Sequence, residues 1–429
     1  MRGTMRRSMS SNPPAPASSS PSFAALRLPG FRALAGTYLL AMMADNVEHV
    51  ISYWVAFQKF HSPALGGFAV VSHWLPFLLL SVPVGGLADR VDPRRLIQCG
   101  MLLFMTASAG WAWFFITDTL QMWQAMLLLV IHGCAGVLWQ GPTQVLLHDV
   151  VPGPNLPSGV RMLATARSLG VLVGPAVGGA IMLTIGPRYG LLLNLCFYLP
   201  AFFWLWRAPY GPRFRAGIAS VPKRAVRGIG DLLRAFADVR ADRRLASMVL
   251  LAGLASFFVA NSYQAQMPGF ARDLGHGDPG TTYSMLLAAD AAGALIAGML
   301  MESMGGLLRP AAGTAVVLCM CWCLALAGFA AVGSYSLALL LLFLAGVFEL
   351  SFSAMAQTLV QLHAPDASRG RVIGLFNMSA LGLRTFAGIT VGIVGAAVGI
   401  HASLAGAALG LFVALMLLRM WLGRERAAA

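Results

Sequence analysis

Three residues deep in the first apolar segment, Asp45, Glu48 and His49, carry side chains that exchange protons. Their spacings of three and four place them on one face of a helix. Asp45 stands about 14 residues, or ~21 Å, from the start of its segment. An ionised carboxylate at that depth in a bilayer is costly unless it faces water or a partner. Binding and releasing protons is the chemistry such a group can do. The structural alternative is a hydrogen-bonded pair with His49, and Glu48 nearer the outer rim would matter less.

Other ionisable residues lie within apolar segments: Asp290, Glu349, Arg167 and Arg384, with His73 and His132 as single histidines. Asp290 and Arg384 are candidates for a pair across adjacent helices. Trp139, Gln140 and Gln144 suit a bulky aromatic or amide-bearing ligand. Catalytic patterns are missing. There is no phosphate-cradling glycine loop with a lysine, no His-Glu-x-x-His and no Gly-x-Ser-x-Gly. The expectation is a non-enzyme without cofactor, driven by an ion gradient. No metal site is expected either: Cys319, Cys321 and Cys323 are spaced by two, which on a helix points neighbouring thiols to nearly opposite sides.

The elements that position these residues follow from composition. Of 429 residues 58% are hydrophobic and 11% charged, with mean hydropathy +0.73. Soluble domains carry roughly 25% charged residues, so this is a membrane composition. Spans of about 20 residues with short loops fit twelve times: 31–58, 64–88, 95–116, 120–147, 157–184, 188–207, 245–270, 281–303, 310–332, 335–362, 371–398 and 402–422. The chain divides into a disordered tail (1–28), an amino-terminal bundle of six helices (29–207), a basic connector (208–244), a second six-helix bundle (245–422) and a short tail (423–429).

The net charge of +14 is topological and gives no reason to expect nucleic acid. With the amino terminus inside, 25 of the 30 Lys and Arg fall on the inner side, three outside (Lys59, Arg188, Arg272) and two within spans (Arg167, Arg384). Both termini are therefore expected in the cytoplasm.

The halves repeat. Gly85-x-Leu87-x-Asp89 returns as Gly298-x-Leu300-x-Glu302, and Gln144-x-Leu146-Leu147 as Gln357-x-Leu359-Val360, both at an offset of 213. Arg161, opening span five, matches Arg371, opening span eleven. Parallel six-helix repeats point to a transporter with its site between the halves. The second copy of the loop is arginine-poor, so the first is expected to carry most of the gating.

The stretch Gly85, Leu87, Asp89-Arg90, Arg94-Arg95 between spans two and three resembles the signature loop of the major facilitator superfamily, with Asp92 where that loop usually has glycine. Gly170-x-x-x-Gly174-Pro175-x-x-Gly178-Gly179 in span five resembles the antiporter motif of its exporters. The three glycines of one stripe, 170, 174 and 178, admit a neighbouring helix, and Pro175 permits a bend. Leu28-Pro29-Gly30-Phe31-Arg32, Ala166-Arg167-Ser168-Leu169-Gly170 and Arg369-Gly370-Arg371-Val372 are similar to the enterobactin-exporter type of facilitator. The arginine that many drug antiporters carry in span four is not matched: Leu129 stands there, and His132 replaces the usual glutamine.

The resemblance implies an all-α fold of two six-helix bundles related by a pseudo-two-fold axis. Spans one, four, seven and ten would line a central cavity, turning Asp45, Glu48, His132, Asn261, Gln264 and Glu349 to a common space. Asp89, Arg90, Arg94 and Arg95 would latch the cytoplasmic side, Asp89 meeting Arg371 at the start of span eleven. The implied activity is export of a siderophore or drug-like compound from a bacterial-type inner membrane by proton antiport, as a monomer whose partners are cargo, protons and lipid. The alternatives are a lysophospholipid or nutrient facilitator or symporter and, more remotely, a membrane-embedded enzyme or sensor.

Overall fold

The computed structural model describes residues 22–214, 229–260, 262–274, 281–304, 310–387 and 394–423, and no strand occurs among them. Six long helices form the first bundle: α1 (Pro29–Phe60), α2 (Pro63–Ala88), α3 (Pro93–Thr117), α4 (Met122–Val150), α5 (Leu156–Thr184) and α6 (Gly186–Arg207). Their ends are written in the sequence. Ser62 accepts from Leu65 N at 3.3 Å and Pro63 opens α2. Asp92 accepts from Arg94 N at 3.1 Å and Pro93 opens α3. Proline suits the first helical position because its missing N–H would find no partner there. Asp92, the departure from the signature loop, is thus the cap of α3.

The chain then forms α7 (Ile229–Ala241), α8 (Arg243–Phe258), α9 (Ser262–Ala265), α10 (Met267–Asp273), α11 (Thr281–Ser303), α12 (Ala312–Ala331), α13 (Tyr335–His363), α14 (Arg369–Asn377), α15 (Arg384–Ala387), α16 (Val394–Val398) and α17 (Ile400–Gly423). Nine described helices are long and apolar enough to cross a membrane. The other three expected spans are α1, whose apolar run is diluted by Asp45, Glu48 and Lys59, and two broken helices. The seventh span breaks where Ala260 takes a left-handed φ of 44°, a conformation that costs a residue with a Cβ. In the eleventh, Met378–Gly382 forms a π turn between α14 and α15. Ser256 of α8 donates to the Ala380 carbonyl there at 2.6 Å, so the broken helix keeps its polar backbone paired.

Within the first bundle α1 packs on α5 and α6, α3 on α4 and α6, and α2 on α4. In the second, α13 packs on α8, α11 and α12, and α17 on α8 and α12. The glycine stripe explains the α1–α5 contact. A Cβ at Gly170 would meet Met42 Cβ at 2.7 Å, one at Gly174 would meet Asn46 Cβ at 2.5 Å, and one at Gly178 would meet Val47 Cα at 3.3 Å, whereas Gly179 has nothing within 4 Å. The outer shell is apolar (Leu79, Trp113, Leu183, Trp206 and Leu417 are all exposed) as lipid requires.

The near side is the membrane face at which α1 begins. Residues 1–21 lie outside the described residues, but 22–28, expected as tail, are packed there. Ala25 is fully buried and its N–H donates to Ser158 Oγ at 3.1 Å. The connector likewise contributes structure, the helix α7, where only a polar loop is expected from composition.

Candidate functional site

The proton-exchanging residues of α1 meet α4 inside the first bundle. Nε2 of His132 lies 2.7 Å from Asp45 Oδ1, and Nδ1 lies 2.8 Å from Glu48 Oε1. Ser108 of α3 donates to the other Glu48 oxygen, and Asn194 of α6 donates to Ser108 Oγ at 3.2 Å. Asp45, Glu48, His132, Ser108 and Asn194 are all buried. Each ring-nitrogen contact needs one hydrogen, so two protons are shared among one imidazole and two carboxyls. The expected His49–Asp45 pair is present but looser, at 3.9 Å. Ring nitrogens of His49, His73 and His132 lie within 4.8 Å of one another, the spacing of a loose metal cage. Both His132 nitrogens are already engaged by carboxylates, so a metal would have to displace those bonds.

This placement corrects two expectations. Asp45, Glu48 and His132 share a space, but it is the interior of one bundle and not the central cavity. Trp139 is 2% exposed, its ring 4.8 Å from Tyr38 and 5.8 Å from Phe104, so it is core. Aromatic helix residues commonly pack this way.

A second polar network lies in the carboxy-terminal bundle. Tyr263 Oη and Gln264 Nε2 donate to Asp290 Oδ2 at 3.1 and 3.0 Å, and Tyr263 reaches Glu349 at 3.5 Å. Asn261 lies outside the described residues. Arg384 does not pair with Asp290. Its Nε donates to the Ala380 carbonyl at 3.1 Å, and its guanidinium lies 5.0 Å from the Trp74 ring centre, a cation–π contact with the other bundle.

Between the bundles is a cavity of about 1040 Å³, counting the part continuous with solvent. The expected Gln140, Gln144 and Glu349 line it, joined by Arg384, Arg167, Gln357, Gln361 and Asn377, whereas Gln264, also expected there, is held by Asp290 instead. Gln144 Nε2 donates to Asn377 Oδ1 at 3.3 Å across the two halves.

The near side is closed by two matched contacts. Asp89, at the carboxy end of α2, accepts from Gly370 N at 2.6 Å and Arg371 N at 3.2 Å, N–H groups in the first turn of α14. A carboxylate is favoured at that helix end. Burial pushes the Asp89 carboxyl up to about 6, against those bonds and the charges of Arg371 and Arg90. At the same place in the repeat, Glu302 of α11 accepts from Ser158 and from Arg161 Nε at 2.8 Å, at the start of α5. Glu302 is fully buried. The second copy is therefore as fully paired across the halves as the first, its arginine supplied by α5 and not by the loop.

The four loop residues divide. Arg90 reaches Asp231 of α7 at 3.1 Å, and Arg371 reaches the same carboxylate at 3.4 Å. Asp231, fully buried, joins both halves and is not singled out by sequence pattern. Arg94 is bound within its own half, to Asp92 at 2.6 Å and to the Ala208 carbonyl. Arg95 is exposed with no partner among the described residues. Arg94 thus braces the loop, and neither Arg94 nor Arg95 makes a contact across the halves. Leu87 is partly buried against the small cluster of Ala88, Leu96, Val145 and Ile373, and Gly86 faces the Arg371 stem. Pro175 continues α5 without breaking it.

Two helical bundles, a polar cavity between them and matched closures at one face define the architecture of a multi-pass membrane protein. A family model described as the Major Facilitator Superfamily matches residues 34–388, and the chain belongs to that superfamily. It is 25% identical over 216 residues to the uncharacterized MFS-type transporter y4rN of Sinorhizobium fredii, covering 48% of this chain and 51% of that protein. It is 25% identical over 134 residues to the putative multidrug resistance protein MdtD of Salmonella typhi, covering 31% and 27%. The chain spans about half or less of the length of these curated relatives. Among solved structures, a bacterial homologue of the iron transporter ferroportin in its outward-facing state superposes with TM-score 0.71 at 15% identity, over 92% of this chain and 98% of that one. The Escherichia coli fucose:proton symporter FucP gives 0.69 at 13%, over 91% and 98%. Identities this low establish the shared fold alone.

Proposed function

We propose that the chain is a secondary active exporter of a small organic molecule, a siderophore or drug-like compound, working by proton antiport with alternating access. One observation carries the reading: His132 held between Asp45 and Glu48, with two protons shared inside an apolar bundle. Such a site gains and loses a proton with little movement, and an ionisable cluster at that depth is costly without a use. A proton arriving from outside neutralises one carboxylate and loosens the Asp45–His132–Glu48 bridge between α1 and α4. That shift passes through the α1–α5 glycine contact to the Arg161–Glu302 latch. The latches part, the near side opens, and cargo enters between the bundles.

With the termini in the cytoplasm, the closed near side is the cytoplasmic gate. The similarity to MdtD and the stripe Gly170, Gly174, Pro175, Gly178 favour export over uptake. Deletion of the protein, with comparison of secreted metabolites and drug sensitivity, tests this. The expected result is one retained compound or one sensitised drug class restored by the wild-type copy. An unchanged secretome and sensitivity profile, with impaired uptake of a nutrient instead, refutes export.

A further inference from the structure

The cavity between the bundles has a bias that the transporter reading does not use. Its charged lining residues are Arg167 of α5, Arg384 of α15 and Glu349 of α13, one net positive charge. Arg167 has no hydrogen bond or ion pair among the described residues. Gln361 is 1% exposed, lines the same cavity, and has both side-chain amide atoms buried without a partner. Trp322, another lining residue, has its buried Nε1 equally unpartnered. Buried polar groups in native proteins are nearly always satisfied, so several in one cavity mark groups held for a ligand. With the half-buried Arg167 guanidinium they offer three donors, a guanidinium, an indole N–H and an amide N–H, and the guanidinium fork fits a carboxylate or other planar oxyanion. Phe352, Phe376 and Tyr38 supply aromatic surface beside them.

We propose that this cavity binds an amphipathic organic anion, a carboxylate or acidic phenol on an aromatic frame. Arg167 holds the charge, Arg384 adds to the field, and Gln361 and Trp322 donate to further oxygens. The inference rests on the exporter reading only in taking the cavity as the cargo site. Arg384 is partly engaged by the Ala380 carbonyl and the Trp74 ring, which makes Arg167 the freer of the two cations.

The test is equilibrium binding to the purified full chain in detergent, with no gradient present, and with empty micelles as the partition control. The probes are fluorescein, an anion at neutral pH, and a cationic rhodamine methyl ester on the same xanthene framework. Fluorescence polarisation is expected to show fluorescein bound at least about tenfold more tightly than the ester. Arg167→Gln weakens fluorescein about tenfold or more, the loss of a charge-assisted bond, and leaves the ester unchanged. Gln361→Leu weakens fluorescein while leaving charge intact. Arg167→Lys, which keeps the charge without the fork, falls between, and reads the site even if the glutamine variant does not fold. Tighter binding of the ester, no binding above empty micelles, or fluorescein affinity unchanged in all three variants overturns the proposal. Proton coupling is separate: anion binding without gradient-driven flux leaves this site standing and sinks antiport, while gradient-driven export of a cation does the reverse.

Discussion

The near-side closure rests on backbone meeting backbone, and Gly85→Ala tests it. A Cβ on residue 85 would lie 2.0 Å from the Gly370 carbonyl oxygen, where contacts under 3.0 Å essentially do not occur. The neighbour is backbone, so no side chain can swing aside, and α2 and α14 must part by about 1 Å. The 2.6 Å bond from Gly370 N to Asp89 then stretches to roughly 3.6 Å, past hydrogen-bond range. Overpacking costs about 1–3 kcal/mol. A lost charge-assisted bond adds about 1.5–3 kcal/mol. Opening the near side separates α2 from α14, so the whole penalty of about 2.5–6 kcal/mol falls on the closed state. That shifts the closed-to-open ratio by at least about 60-fold. Hydrogen–deuterium exchange read by mass spectrometry reports it directly, because Gly370 and Arg371 N–H groups are protected only while the latch holds. Peptides over 369–377 are expected to exchange at least about tenfold faster in Gly85→Ala. Gly179→Ala, with nothing within 4 Å, leaves them unchanged. Equal protection in wild type and Gly85→Ala would refute the closure argument.

Three further outcomes follow from the same geometry. The buried Asp89 carboxyl, raised from 3.8 to about 6, binds its proton more tightly when the latch is closed, so closure gains as pH falls and that gain is lost as pH rises through about 6. The groups facing it are Arg90, Arg371 and the Gly370 and Arg371 N–H, with Asp231 beyond the arginines. Exchange over 369–377 should slow from about pH 7 to 5 after correction for intrinsic rate, and Asp89→Asn should abolish that dependence; a slope retained in the variant rules the carboxyl out. His132→Ala leaves two buried carboxyls without their donor and should cost about 3–5 kcal/mol in detergent unfolding, part of it recovered when Asp45→Asn is added; an unchanged midpoint contradicts the buried bridge. Gly174→Ala, whose methyl would sit 2.5 Å from Asn46 Cβ, should impair folding or transport far more than Gly179→Ala, and equal effects would remove the α1–α5 packing argument.

Much of this was legible in the chain. The spacing of Asp45 and Glu48 put them on one face, and a period of 3.6 fixes that without a structure. Their partner His132 lies 84 residues from Glu48, and nothing local in α4 distinguishes a histidine aimed into its own bundle from one aimed at the cavity. Asp89 meeting the start of α14 was readable because a carboxylate and a helix amino terminus attract through the backbone itself. Arg161 meeting Glu302 was half visible: both residues stood in the repeat, but their partnership crosses the halves. Asp231 was hidden because in a connector rich in arginine one carboxylate looks solvated, and only α7 buries it. The breaks near Ala260 and at Met378–Gly382 left no mark, since hydropathy averages over a span and does not register how its backbone bonds are arranged.

The central claim is that each transport cycle exchanges a proton through Asp45, His132 and Glu48. The most direct measurement uses everted membrane vesicles containing the wild-type chain or Asp45→Asn, with the secreted compound identified by deletion as cargo. Uptake into the vesicles is followed before and after a protonophore collapses the pH gradient. The account predicts that wild-type uptake falls to the passive rate on collapse and that Asp45→Asn starts near that rate, though its latches and cargo binding are intact. Uptake that persists after collapse, or an Asp45→Asn protein that concentrates cargo as well as the wild type, would contradict it.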